Sequence, residues 1–299
     1  MNQVTDQQII EILRKEAVPA LGCTEPVACA LACAKCKEVL GSVPERLDVL
    51  VSGNIYKNGM GVGIPGTGMV GLPIAAALGA VCGKSEYGLE VLKEVNVGDN
   101  LQRAKDMLGQ VTVSLKEDAP DKLYAEALAT KGNDTVKVII AHTHTNIVLV
   151  EKNGEEIFKR EFRLDTSKPE DKGPELSVKR IWDFVHEVDV KDIEFVLQGA
   201  EMNKAISAEG LNSEYGLQIG KTLKENIDKG LLEDDLLNRT LNRATAASDA
   251  RMDGCPKPVM TNSGSGNQGI TVYLPVVVAA EKFGASREQL ARALALSNL

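Results

Sequence analysis

Wound as a helix, the stretch from Pro26 to about Leu40 is apolar on almost every side, with Val27, Leu31, Val39 and Leu40 set among alanines and three cysteines. A helix without a polar face has to be covered all round, so this one predicts a central, buried position. Its small residues suit close packing, and aromatic residues make up only 4% of the chain. The run in front of it, Gly22-Cys23-Thr24-Glu25-Pro26, reads as the start of the helix. Thr24 or Glu25 is expected as N-cap and Pro26 as the first helical residue. Backbone N–H groups at such an end have no intrahelical partner, and they favour the thiolate of Cys23. The same residues also read as an inert buried cysteine ahead of a helix. Cys29, Cys33 and Cys36 fall on one helical face and read as small core residues, against a metal site shared with Cys23.

With 299 residues the chain has room for two domains or one large one. Its net charge of −8 argues against a nucleic-acid surface. No apolar run is long enough to span a bilayer. The opening residues lack a basic segment followed by an apolar core, so no signal peptide is expected. The six cysteines are scattered through a large chain and read as reduced thiols in the cytoplasm.

Thr5-Asp6-Gln7-Gln8 has capping-box form, with Ile9, Ile10, Leu13 and Ala17 at helical spacing behind it. Arg46 to Ser52 alternates as a strand and leads into a glycine-rich loop from Gly53 to Gly68, with a helix expected from about Pro73. Strand, glycine loop and helix together suggest an anion site lined by backbone amides, with Lys57 and Asn58 beside it. Neither a Walker A ending nor a dinucleotide fingerprint is present. Helical stretches follow near 89–95 and 100–108. Strand-like runs then lie near 111–115, 123–130, 136–142, 146–151 and 156–163, with hairpin turns at Gly132-Asn133-Asp134 and Asn153-Gly154. Alternation puts His142 and His144 on one sheet face, as metal ligands, a general base or a solvated polar face. His186 reads as a surface or packing residue.

Residues 164–174 look like a linker, and the pattern beyond them is helical, near 175–187, 191–208, 214–229, 232–247, 270–283 and 286–299. Two polar clusters are expected to interrupt it, Ser248–Met252 and Met260–Gly269, the second forming another amide nest before an apolar helix. The fold expected is therefore α+β. Residues 1–45 and 166–299 form an all-helical domain, and residues 46–165 form an inserted antiparallel-sheet domain. The helix of residues 26–40 is expected to find its partners among the later helices. Ser286-Arg287-Glu288-Gln289 opens a helix whose end carries no stop signal, which suggests a truncated polypeptide or a separate C-terminal chain.

Five segments carry a resemblance. They are Gly22–Pro26, Lys57–Gly59 with Pro65–Pro73, His144–Val148, Ala247–Met252 and Asn262–Gly269. Together they resemble the L-cysteine desulfidase family, which is related to the α subunit of iron–sulfur L-serine dehydratases. The resemblance runs from end to end of the chain. It implies an oxygen-sensitive [4Fe–4S] lyase that splits L-cysteine into pyruvate, ammonia and sulfide, with Cys23 as a cluster ligand. In the family the remaining cluster cysteines lie further toward the C-terminus than this chain extends. Cys29, Cys33, Cys36, Cys82 and Cys255 do not match them, so the chain alone is expected to lack a complete cluster.

In such chemistry an iron without a protein ligand acts as a Lewis acid on the β-substituent, and a base removes the Cα proton. Lys57 and His144 are the candidate bases. Asn58, Thr67, Ser263, Ser265 and Asn267 are the expected substrate contacts, with both glycine-rich loops facing one pocket at the domain boundary. The expected partners are a small amino acid and either a second copy or a separate C-terminal chain, with no nucleic acid and no membrane. Two other readings remain open: a hydroxyl-eliminating lyase acting on L-serine, and a non-catalytic subunit that binds a small anion.

Overall fold

The structure is a computed structural model that describes residues 4–160 and 176–299. The expected linker of residues 164–174 lies outside the described residues. The elements run α1 (Asp6–Glu16), β1 (Pro19–Ala20), α2 (Thr24–Leu40), β2 (Arg46–Val51), α3 (Gly53–Gly59), β3 (Gly63–Ile64), β4 (Met69–Val70) and α4 (Leu72–Val81). A 3-10 turn at Ser85–Glu90 leads to α5 (Asn100–Met107), β5 (Val111–Leu115), β6 (Tyr124–Lys131), β7 (Asp134–Ala141), β8 (Ile147–Lys152) and β9 (Glu155–Lys159). The helical part holds α6 (Val178–Glu187), α7 (Val190–Ile193), α8 (Val196–Asn212), α9 (Ile219–Asp228) and α10 (Leu236–Met252). It closes with β10 (Val259–Met260), α11 (Gly266–Phe283) and α12 (Arg287–Ser297). Among the described residues no helix is long and apolar enough to cross a membrane. The architecture is α+β, and the chain divides into two compact units.

One unit comprises Leu21–Asp165 with Met252–Pro256. Its sheet has six strands in the order β5-β2-β6-β7-β8-β9. The antiparallel sheet expected from the turns holds for every neighbour except β2 and β5, which pair in parallel with Leu47 opposite Val111. A parallel pair needs a long crossover, and the stretch containing α3, α4 and α5 supplies it. Leu47, Val49 and Val51 of β2, Ala125, Ala127 and Ala129 of β6, and Val136, Val138 and Ile140 of β7 are buried in alternation. They form the core with α2 and α4.

This packing corrects the partners expected for α2. The sheet and α4 cover it, so it belongs to the sheet-containing unit, and the division falls at Leu21 instead of near residue 45. Cys36 Sγ approaches the carbonyl oxygens of Ala127 (3.5 Å) and Val136 (3.6 Å), so the helix lies directly on the strands. On its other flank a Cβ added at Gly79 of α4 would come within 2.7 Å of Ala30 Cα. Small residues are what allow this approach.

The second unit comprises Met1–Ala20, Thr166–Arg251 and Lys257–Leu299. Both capping boxes form, at Thr5 with Gln8 and at Ser286 with Gln289. Ile9, Ile10 and Leu13 of α1 pack with Phe184, Val185, Ile193 and Ala295. Val196, Ala200, Tyr273, Val277 and Leu294 form a second cluster. The polar letters Ser248–Met252 do not interrupt the chain but complete α10, because Ala246, Ala247 and Ala250 continue its buried stripe. The helix expected from residue 214 starts only at Ile219, after Gly216 and Gln218 adopt positive φ (53° and 54°). His186 is exposed on α6, its ring 4.4 Å from that of Trp182.

Candidate functional site

Cys23 is itself the N-cap of α2, where Thr24 or Glu25 was expected, and Pro26 is the third helical residue. Its backbone is extended (φ −85°, ψ 145°), and its side chain caps no N–H group. It is 4% exposed, with Sγ 3.5 Å from Met252 Sδ. Gly22 makes the turn into the helix at φ +79°, a conformation that favours glycine, and an added Cβ would lie 2.8 Å from Pro65. Glu25 extends from the first turn, where a carboxylate complements the helix dipole, and accepts from Asn58 Nδ2 at 3.4 Å.

The glycine-rich segment is not an open loop. Ser52 caps a short helix over Gly53–Gly59, and residues 63–70 form the β3–β4 hairpin. Several amides expected to hold an anion are already bonded within the protein. Gly66 N–H donates to Gly254 O, Thr67 N–H to Ile64 O and Met60 N–H to Tyr56 O, each at 3.2 Å. Thr67 is buried, and its hydroxyl donates to Ile64 O at 2.7 Å, so it shapes the hairpin. Lys57 and Asn58 are exposed on α3. Residues 22–26, 58, 64–66 and 252–254 therefore converge around Cys23 in this unit.

His142 and His144 do not share a sheet face. β7 ends at Ala141, and residues 142–146 turn back into β8. Asp121 causes the turn, because one carboxylate oxygen accepts from the His142 backbone N–H (2.9 Å) and lies 2.8 Å from His142 Nδ1. His142 accordingly sits at φ 70°. Next in the loop, Thr145 lies against Gly88, and Leu89 O accepts from Leu21 N–H (3.2 Å). The histidine loop and the Cys23 turn thus rest on the same 3-10 segment.

In the helical unit, Asn262 and Ser265 exchange backbone hydrogen bonds (3.1 and 3.0 Å) across Ser263 and Gly264, which both have positive φ. Ser265 caps α11 by accepting from Gln268 N–H (3.3 Å). Ser263 Oγ donates to Asn262 Oδ1 (3.0 Å). Asn267 Oδ1 accepts from Arg251 Nη1 (3.0 Å) and Ser248 Oγ (3.4 Å). Arg251 is only 5% exposed, and its guanidinium lies over the first turn of α11. A Cβ at Gly266 would come within 2.6 Å of Arg251 Cζ, so glycine there makes room for the cation. A guanidinium and a helix N-terminus side by side build a positive field suited to a carboxylate.

Residues 86–299 match the family model described as the serine dehydratase alpha chain. The chain belongs to the serine dehydratase alpha chain family. Among its relatives, the UPF0597 protein of Actinobacillus pleuropneumoniae serotype 3 (strain JL03) is 49% identical over 296 residues, covering 98% of this chain and 68% of that protein. The UPF0597 protein of Dichelobacter nodosus (strain VCS1703A) is 48% identical over 298 residues, covering 99% and 69%. That of Parabacteroides distasonis is 46% identical over 305 residues, covering 100% and 70%. No solved structure matches the chain. At family level this is a serine dehydratase-like lyase.

An iron–sulfur cluster is held by several cysteine thiolates, so its fit to this serine dehydratase-like chain can be judged from the thiols. Burial pushes Cys29 and Cys36 up to about 12 and Cys33 well above its usual value, which keeps these three neutral in the core. Among the described residues no group of three or more His, Cys, Asp or Glu side chains gathers to hold a metal. Cys23 offers one thiol at a helix N-terminus, and the described residues do not fit a complete cluster. Arg251, bonded to Asn267, was not among the sequence-based candidate contacts. It lay within the polar cluster Ser248–Met252, and its bond to Asn267 of α11 is what singles it out.

Proposed function

We propose that this chain carries the substrate-recognition part of a β-eliminating amino-acid lyase whose substrate is L-cysteine, released as pyruvate, ammonia and sulfide. The observation that carries the reading is the buried guanidinium of Arg251 over the first turn of α11, bonded to Asn267. An α-amino acid presents a carboxylate, and a planar guanidinium fork at a helix N-terminus binds it in a fixed orientation. Ser263, Ser265 and Asn267 surround this feature with hydroxyl and amide groups able to orient the amino group. Lys57 and His144 are the proposed proton acceptors from Cα, since neither is locked in the core.

Cys23 is proposed as one cysteine ligand of a [4Fe–4S] cluster. None of the six cysteines forms a disulfide, which accords with a reducing, cytoplasmic setting. L-cysteine is favoured over L-serine by the desulfidase resemblance that the five segments carry together. The discriminating experiment gives the anaerobically reconstituted protein each amino acid in turn. Sulfide release from L-cysteine with little pyruvate from L-serine supports the desulfidase, and the reverse pattern replaces it with a serine dehydratase.

A further inference from the structure

The edge strand β9 has a feature that the lyase reading does not use. It stands at one end of the sheet and pairs with β8 alone among the described residues. From Glu155 to Arg160 it reads Glu-Glu-Ile-Phe-Lys-Arg, and all six residues are exposed. Two acidic residues, two apolar residues and two basic residues follow in order. Reversed and laid beside itself, this strand meets opposite charge at each end and apolar groups at the centre. The other edge, β5, reads Val-Thr-Val-Ser-Leu and has no charge of its own.

The backbone agrees with this pairing. Lys152 stands opposite Glu155, Glu151 opposite Glu156 and Val150 opposite Phe158, so Ile157 is the extra residue of a bulge. Arg160 N–H donates to Val148 O at 2.8 Å. Alternation along an antiparallel pair then turns Phe158 and Arg160 toward β8 and Lys159 away from it. The bulge resets the alternation, so Glu156 also faces away. The two residues whose backbone groups point outward are thus Glu156 and Lys159. Their side chains share one face, with Lys159 Nζ 2.6 Å from Glu156 Oε1. Ile157 (53% exposed) and Phe158 (41% exposed) border a groove of about 440 Å³ with Val39, Ile147 and Val150. An exposed edge with apolar side chains invites a further strand.

We propose that β9 is a homodimerisation edge, in which two copies pair antiparallel about a two-fold axis between Ile157 and Phe158. Glu156 then exchanges backbone hydrogen bonds with the partner's Lys159, and their side chains form a cross-strand ion pair. Glu155 lies opposite the partner's Arg160, and Ile157 lies beside the partner's Phe158. The interface is isologous, so every contact occurs twice. The two sheets join into one of twelve strands, six from each copy.

Sedimentation velocity over a micromolar concentration series tests the pairing on the full chain. The wild type is expected to dimerise. Glu156→Lys and Lys159→Glu each replace two attractive pairs with two repulsive ones, so each raises the dimer dissociation constant by at least about tenfold. The double swap Glu156→Lys with Lys159→Glu restores complementarity and recovers the dimer. Amide exchange at Glu156 and Lys159 should slow as concentration rises in the wild type, a readout that needs no variant. A monomeric wild type, a dimer insensitive to either reversal, or a folded double swap that stays monomeric overturns the proposal.

Discussion

Replacing Gly266 by alanine tests whether the seat of Arg251 matters to function. The added Cβ would lie within 2.6 Å of Arg251 Cζ, against an ordinary contact of about 3.5–4.0 Å. The guanidinium must therefore retreat by roughly 1 Å in a pocket where it is only 5% exposed. That displacement breaks the 3.0 Å bond from Nη1 to Asn267 Oδ1. A hydrogen bond to a charged group contributes about 1.5–3 kcal/mol, and alanine returns up to about 1 kcal/mol of helix propensity. Gly266→Ala should thus lower unfolding free energy by about 1–2 kcal/mol in urea titration. If Arg251 orients the substrate carboxylate, kcat/KM should fall about 10–100-fold while the protein remains folded. Gly109→Ala is the control, since a Cβ there meets nothing within 4 Å, and it should change neither quantity measurably. A folded Gly266→Ala protein with unaltered kcat/KM would refute the role given to Arg251.

Gly79→Ala should destabilise the sheet-containing unit by about 1–3 kcal/mol, because backbone atoms of Ala30 occupy the place of the new methyl group; an unchanged urea midpoint would contradict the close α2–α4 packing. Cys29 and Cys36 ionise near 9 when unfolded and at about 12 when folded, so the unfolded chain loses these protons first. Stability should therefore fall as pH rises from about 9 toward 12, and Cys29→Ala with Cys36→Ala should flatten that slope in pH-dependent unfolding. Cys23→Ser should lower iron bound after anaerobic reconstitution, measured by iron analysis and visible absorbance, while urea stability shifts by less than about 1 kcal/mol; full iron retention would remove Cys23 from the ligand set.

Local patterns in the sequence placed most elements, because each has a short-range cause. Thr5 and Ser286 cap their helices with side chains three residues away, and Asn153-Gly154 supplies the positive φ that its hairpin needs. Long-range pairing was not legible. The parallel register of β2 with β5 and the cover over α2 depend on residues far apart in the chain. Periodicity also failed where another constraint took over. Asp121 ends β7 by binding His142, so the two histidines lost the alternation expected of a strand. Among the sequence-based candidates, Cys23 and Ser265 stand at helix starts as local chemistry suggested, whereas Thr67 serves its own hairpin. Arg251 was visible only as part of the polar cluster Ser248–Met252, because its partner Asn267 stands on a different helix.

The most direct measurement is the product balance when the anaerobically reconstituted protein is given L-cysteine. The account predicts sulfide, pyruvate and ammonia in equal amounts, with turnover reduced by at least about tenfold in Arg251→Lys, whose ammonium cannot bind a carboxylate in bidentate fashion. Pyruvate from L-serine without sulfide from L-cysteine, or full turnover in Arg251→Lys, would contradict it.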